Sequence, residues 1–509
     1  MPWPKKTKYK TPFKTDGEVT SMRLDLDDWR EEYKRKLVSA DEAARAIKSG
    51  DNVFIPNAYL GVMPESIVAR RDELRDVTVE ICTPLSDPGW LTPGMEDSFN
   101  IIIRIFLTAA RQAHDEGRIP FLPYTNGTWI KPYRDHRSTR RDIDVFMVEV
   151  SPPDEHGFCY FGQGIWESRY FSSKAKTVIA EIDEYLFKPR GDAAIHVSEI
   201  DFLVDVTSPP LTEAEIEKVA GLVPVEKREL ARKNVSLMHP RILRKVLPVI
   251  EEVPQDILEG VCNLDTPTQA MTAMASNLKT ILRDRDTIQI GIGKHTKHIV
   301  QLGTFDHLND LSIFSEMGCP GMGFLVKRGI ATGKYASLHP GKAVFSSLSG
   351  MLPEEVRWAD NNPLIELYPG DYVINIPNIA RNENMVSVNN ATSVDLTGQI
   401  TCESQFGPRL INGVGGQIEF HIGAFLSPGG RAVTFLPSTW GDGSVSTIVP
   451  YFEKGTLVSL SRYWADYVIT EWGLAELIGR THRERAEELI RVAHPDFRDE
   501  LTEAAENIC

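Results

Sequence analysis

The chain has 509 residues, 42% of them hydrophobic and 25% charged, which is ordinary for a globular protein and too long for one hydrophobic core. Its 56 Lys and Arg against 71 Asp and Glu leave a formal charge of −15, which disfavours nucleic acid or an anionic membrane as the principal partner. No window reaches the ~18 consecutive apolar residues of a membrane span, and "MPWPKKTKYKTPFK" lacks the apolar stretch of a secretory signal, so the expectation is a cytoplasmic protein.

Residues 1–26 are basic, polar and proline-containing and read as an arm, not a packed element. From Asp27, "DDWREEYKRKLVSADEAARAIKSGD" has helical character, with Ser39 placed to cap a second, Ala-rich helix and Gly50 to end it. "NVFIPNAYLGVMPESIVARRDELRDVTVEICTP" predicts a strand at Val53–Ile55, a helix opening near Pro64 and a second strand at Val77–Ile81. "DVFMVEV" predicts another strand, followed by the turn-rich "VSPPDEHGFCYFG", in which His156 reads as ordering the loop and not as a catalytic group. Residues 210–255 are polar, helical in period and punctuated by proline, and they separate an expected domain at 27–230 from one at 231–509.

Beyond that boundary the plan returns. "DTIQIGIGKHTKHIVQLGTFDHLNDLSIFSEMG" repeats strand, helix, strand, with Asp286 and Asp310 answering Asp51 and Asp76. Parallel units of this kind bind ligands beyond the C-terminal ends of their strands. Glu316 sits just past such an end, where the first half has Cys82. The scaffold repeats and the carboxylate does not.

Two glycine-rich stretches accompany it. Gly291 and Gly293 follow a strand and precede a predicted helix, a setting that suits a phosphate or an oxyanion, although a tight strand-to-helix turn explains the same glycines. Lys294, His295, Lys297 and His298 would add local positive charge, or form a solvated face. "NGVGGQIEF", with Gly413, Gly415 and Gly416, and then "SPGG" and "STWGDGS", expose backbone at an entropic cost and favour ligand-facing loops. Near the C-terminus Tyr467–Ile469 reads as a strand with Thr470 capping a following helix, and Thr481 with Glu484 as a capping box for another. Trp464 and Trp472 read as core or interface. The cysteines (Cys82, Cys159, Cys262, Cys319, Cys402, Cys509) are scattered, pointing to reduced thiols and no zinc site, and no metalloprotease, nucleophile-elbow, kinase or calcium motif occurs.

Six stretches, "VSPPDEHGFCYFG", "IHVSEIDFLVD", "LHPGK", "VDLTGQI", "NGVGGQIEF" and "VITEWGLAELIGRTHRERAEELIRVAHPDFRDEL", stand in the order found in one family. The chain resembles the acetyl-CoA hydrolase/transferase group of class I CoA-transferases over nearly its whole length. The resemblance implies two similar open α/β domains of the CoA-transferase type, a site between them, and a homodimer or higher homo-oligomer. It implies coenzyme A as co-substrate, with no permanently bound cofactor and no metal. "SEMGCPG" matches the family's nucleophile motif at Glu316 and Met317, so Glu316 inherits the catalytic role. Gly291 and Gly293, then Gly413, Gly415, Gly416 and Gln417, inherit roles in binding CoA or stabilising an oxyanion. Asn389 falls where the family keeps a site-lining asparagine, and Lys294 and His295, adjoining Gly293, are expected to bind CoA through their local positive charge.

The implied reaction moves CoA from an acyl-CoA to a small carboxylic acid through an acyl-glutamyl anhydride and a glutamyl-CoA thioester. Acyl-CoA hydrolysis by the same glutamate is the alternative. Three departures from the family pattern, at Cys319-Pro320, Lys294 and Trp440-Gly441, imply an unusual acyl group or acceptor. Cys319 has no base adjacent in sequence and reads as a small packing residue.

Overall fold

Short apolar runs bounded by turns pair side by side as parallel strands, the arrangement expected when both faces of a sheet are covered. The computed structural model describes residues 29–506 apart from 57–58, 60, 83–86, 106–107, 138 and 405; the expected arm at 1–26 lies outside the described residues. In the first half, β1 (Asn52–Ile55), β2 (Val77–Ile81), β3 (Phe99–Ile103), β4 (Val145–Val150), β5 (Thr177–Ile182) and β6 (Phe202–Asp205) form a parallel sheet ordered β3-β2-β1-β4-β5-β6.

In the second half the strands are β7 (Thr287–Ile290), β8 (Ser312–Met317), β9 (Ala343–Ser347), β10 (Ile365–Leu367), β11 (Met385–Asn390), β12 (Arg431–Phe435), β13 (Tyr467–Thr470) and β14 (Gly473–Glu476). Their order is β14-β13-β12-β11-β7-β8-β9-β10, and the two-residue strand Arg190–Gly191 of the first half joins the far edge beside β10. The series β9-β8-β7-β11-β12-β13 thus repeats the order of the first sheet.

The repeat extends to single hydrogen bonds. Thr78 N–H donates to the Asp51 carbonyl and Ser312 N–H to the Asp286 carbonyl, both at 2.9 Å. The Asp51 carboxylate accepts from Lys48 N–H and the Asp286 carboxylate from Arg283 N–H, both at 2.8 Å. Asp76 and Asp310 both turn the chain into the next strand with φ 56°, a left-handed conformation that aspartate tolerates better than most residues. Counted from Thr78 and Ser312, Cys82 and Glu316 occupy equivalent places.

One apolar cluster runs through both halves, from Phe54 and Phe171 to Ile290 and Phe345. The helices between the halves, Glu213–Ala220, Arg228–Ser236, Pro240–Val246 and Gln255–Val261, have their own core of Ile216, Val219, Val235, Leu243 and Leu258. This helical segment is tied to the first half by Arg241, which donates to Glu149 at 2.7 Å and to Asp183, and to the second by Lys233 and Glu354 at 3.1 Å.

Several local expectations hold. Ser39 caps Ala40–Ala44, Pro64 opens Met63–Val68, and Thr481 with Glu484 forms the capping box of His482–Val492. Others fail. No regular helix follows Gly293: the chain continues as successive turns, because Thr296 Oγ1 donates to the carbonyls of Gly291 and Gly293 and competes with the helical ladder. Thr470 caps no helix either. Residues 471–472 form a hairpin loop and "GLAE" pairs antiparallel with β13, so strand pairing at the sheet edge overrides the helical period. The "SPGG" glycines lie at the N-terminal approach to β12, where Gly429 (φ 71°) and Gly430 make a structural turn. "STWGDGS" makes a small hairpin of Thr439–Trp440 with Val445–Ser446. Among the described residues no helix is long and apolar enough to cross a membrane.

Candidate active site

The C-terminal end of β8 carries Glu316 to the place where the two halves meet. Its Oε1 accepts a hydrogen bond from Asn126 Nδ2 at 2.8 Å, and its Oε2 accepts from Gly416 N–H at 3.1 Å. Asn126 belongs to the first half and is buried; Gly416 immediately precedes the helix Gln417–Leu426 of the second. The carboxylate therefore faces a helix N-terminus, where orphan N–H groups and the helix dipole favour negative charge.

The loop before that helix is held by the first half. Asn126 N–H donates to the Gly415 carbonyl at 2.9 Å, and the Arg111 guanidinium donates to the carbonyls of Leu410, at 2.7 Å, and Ile411. A Cβ at Gly416 would stand 2.3 Å from Glu316 Oε2, and one at Gly413 would stand 2.2 Å from the Arg104 carbonyl. These glycines let two backbones and a carboxylate approach more closely than any side chain allows.

Burial pushes the Glu316 carboxyl up to about 7, against the opposite pull of its hydrogen bonds from Asn126 and Gly416; Glu167 adds to the rise. Glu419, on the same helix, is likewise pushed up to about 7, mainly by burial, and Glu316 contributes. Burial also raises Glu167, although Arg104 lies 3.3 Å away and Trp129 Nε1 donates to it at 2.6 Å.

Glu316 opens onto a cavity of about 600 Å³ whose walls include Gly291, Asn389, Gly413, Gly415, Gly416 and Gln417. The floor is a polar network in which Gln289 Nε2 donates to Asn389 Oδ1 at 3.1 Å and Asn389 Nδ2 to Ser387 Oγ at 2.7 Å. Gly291 is needed here, since its Cβ would meet Asn389 Oδ1 at 2.3 Å. A second cavity of about 550 Å³ shares Gln163, Ile242, Ile292 and Ser349 with the first and carries Gly293, Lys294, Lys297 and Arg357.

The acetyl-CoA hydrolase/transferase N-terminal domain profile matches residues 21–210, and the acetyl-CoA hydrolase/transferase C-terminal domain profile matches residues 354–505. A 4-hydroxybutyrate coenzyme A transferase of Clostridium kluyveri is 33% identical over 93% of this chain and 98% of its own length. The chain belongs to the acetyl-CoA hydrolase/transferase family. Solved structures agree with this family fold: RipA from Yersinia pestis is 26% identical, with a TM-score of 0.76 over 94% of this chain and 99% of that one. A 4-hydroxybutyrate CoA-transferase from Porphyromonas gingivalis is 26% identical, with a TM-score of 0.70 over 94% of this chain and 100% of that one. The α/β fold expected of the family, with parallel sheets in two similar halves, is the one observed.

Within this acetyl-CoA hydrolase/transferase frame, the other residues singled out in the sequence separate into groups. Lys294 is exposed and lines the second cavity, whereas Lys297 and His298 are engaged by Asp265 at 2.6 and 3.0 Å. His295 lines neither cavity; burial and then the neighbouring Lys294 charge push its pKa down to about 4, so it is neutral. Cys319 is fully buried with its thiol pushed up by burial, and its Sγ lies 3.6 Å from the Thr296 carbonyl, in keeping with a packing residue. The His156 side chain is exposed beside Glu155, outside both cavities. Trp472 is 45% exposed and donates from its indole to Ser438 Oγ, so it is not a core residue of this chain.

Sequence reasoning missed Asn126 and Trp166. Asn126 stands in "TNGT", which signals only a turn. Trp166 lines the Glu316 cavity with φ 44°, an outlier for so bulky a side chain that costs about 1–3 kcal/mol. It is held there by Gly370 N–H, which donates to its carbonyl at 2.8 Å, and by Ile165 N–H, which donates to the Ser346 carbonyl at 2.9 Å.

Proposed function

We propose that this enzyme transfers CoA from an acyl-CoA to a carboxylic acid, with Glu316 as covalent nucleophile. The observation that carries this reading is the Glu316 carboxylate at a cavity wall, held by one donor from each half, Asn126 and Gly416. The ionised carboxylate attacks the thioester carbonyl, the C–S bond breaks, and CoA thiolate leaves an acyl-glutamyl anhydride. The thiolate then attacks the glutamyl carbonyl, releasing the first acid and forming glutamyl-CoA. An incoming carboxylate attacks that thioester to give a second anhydride, and the thiolate takes its acyl group. Glu316 is regenerated and no water is consumed.

The donors that hold the resting carboxylate sit where charge develops when the glutamyl carbonyl is attacked. A hydrogen bond aimed at such an oxyanion lowers the barrier by about 3 kcal/mol. In this reading the second cavity takes the rest of CoA, with Lys294 and Arg357 opposite its phosphates, and remote binding energy there positions the thioester. The reading also includes a cytoplasmic homo-oligomer and a division into domains at 27–230 and 231–509.

Incubating an acyl-CoA with and without a panel of carboxylic acids tests it. Acid-dependent formation of a new acyl-CoA is the expected result; CoA release that ignores the acid would replace transfer with hydrolysis.

A further inference from the structure

Glu316 is held by two donors, and both are tied to one helix. Gly416, whose N–H reaches Glu316 Oε2, immediately precedes Gln417–Leu426. Asn126, whose side-chain amide reaches Oε1, comes from the other half, in a turn where Trp129 N–H donates to the Thr125 carbonyl at 3.2 Å. One tie to the helix is through backbone, since Asn126 N–H donates to the Gly415 carbonyl at 2.9 Å.

Glu419 supplies the others. It is the third residue of the same helix and is 3% exposed. Its Oε1 accepts from the Thr125 hydroxyl, and the Gly127 backbone also hydrogen-bonds to this carboxylate. A Cβ at Gly127 would stand 2.8 Å from Glu419 Oε1 and 2.2 Å from the Ile374 carbonyl, so the turn settles this deeply only with glycine there. Both neighbours of Asn126 are thus tied to one side chain, while Asn126 itself is turned to Glu316. Glu419 lines neither cavity, and its Oε2 has no hydrogen-bond partner among the described residues. A buried carboxylate in that state is disfavoured. Packing alone would be met as well by an apolar side chain of similar volume.

We infer that Glu419 is a positioning residue: by holding Thr125 and Gly127 it fixes the Asn126 amide against Glu316, so that the donors from the two halves keep one geometry. This deepens the proposed function and rests on Glu316 being the reacting residue. In that reaction Glu316 passes from carboxylate to anhydride to thioester and loses the charge that attracts the amide. A donor held by Glu419 stays in place when that attraction is gone, ready for the next oxyanion without reorganisation.

The test compares Glu419→Gln with Glu419→Met. Both fill the space and both remove the charge, but only the first keeps an oxygen to accept from Thr125. Thioester consumption is followed whether an acid or water takes the acyl group. Glu419→Met is expected to have a kcat roughly fivefold below that of Glu419→Gln, with KM for the acyl-CoA within about twofold. Equal kcat values would reduce Glu419 to packing and overturn the inference. Introduced into Asn126→Ala, the same two substitutions should differ by less than about twofold, because the residue they act through is gone. A difference that persists in full would overturn the inference as well. Thr125→Val removes the donor from the other end of the contact at a half-buried position. It should lower kcat about threefold, which keeps the test decisive if Glu419→Met does not fold; an unchanged kcat would contradict the inference. Glu316→Ala, assayed alongside, separates the two levels. Normal turnover in that variant would overturn the reaction reading itself, whereas its inactivity together with equal Glu419 variants would overturn the positioning role alone.

Discussion

The two halves share a strand order, a pair of aspartate-capped turns and a left-handed aspartate before the second strand, yet they end that strand differently. The first half ends in Cys82, 1% exposed, whose carbonyl accepts from Ile105 N–H at 2.9 Å. The second ends in Glu316, which reaches a cavity. The first half is not idle, because Asn126, Arg111 and Trp166 extend from it to hold the carboxylate, brace the glycine loop and line the chamber. A repeated scaffold is thus divided into a half that presents the carboxylate proposed to react and a half that holds it.

The largest expected contrast is between the two equivalent positions. Glu316→Ala should lower kcat by about 1,000-fold or more, whereas Cys82→Ala should leave it within about twofold, measured by acyl-CoA turnover. Residual activity near the natural level in Glu316→Ala would move the chemistry to another residue. Next, Gly416→Ala forces a methyl into the 2.3 Å approach to Glu316 Oε2 and should cost on the order of 100-fold in kcat.

Asn126→Ala sharpens the division of labour. Turnover should rise with pH through about 7, as Glu316 ionises. Removing an amide that donates to the charged form should shift this limb to higher pH and lower kcat about tenfold. A pH–rate profile that keeps its limb would deny the first half its role. The smallest effect is on stability. Because burial raises the folded-state value of Glu316 above the ordinary carboxyl range, the residue's contribution is fully present at low pH and is lost as pH rises through about 7. Glu316→Gln should therefore gain about 2 kcal/mol more against the natural protein at pH 8 than at pH 5. The readout is the pH dependence of the difference in Tm.

Much of this was legible in the chain itself, because the relevant signals are local. Alternating apolar runs and turn residues located β1, β2, β7 and β8, and the nearly equal spacing from Asp51 to Asp76 and from Asp286 to Asp310 exposed the duplication. The glycines at 291, 413, 415 and 416 were visible as backbone exposed for a reason, and the structure brings them to one cavity with Glu316 and Asn389. What escaped was long-range. Asn126 lies 190 residues from Glu316 in sequence, and nothing in a turn motif says which carboxylate it will face. The hairpin at 471–472 was hidden because "GLAELIGR" has a helical period that only pairing with β13 overrules.

The most direct measurement is trapping of the covalent intermediate. The protein is incubated with an acyl-CoA, treated with borohydride, which reduces a glutamyl thioester to the alcohol, and digested for peptide mass analysis. Glu316 as nucleophile predicts reduction confined to the peptide containing "IFSEMGCPGM", at Glu316, and lost when the acyl-CoA is omitted. An unmodified Glu316 under conditions of turnover, or adduct formation at Cys319 instead, would contradict it.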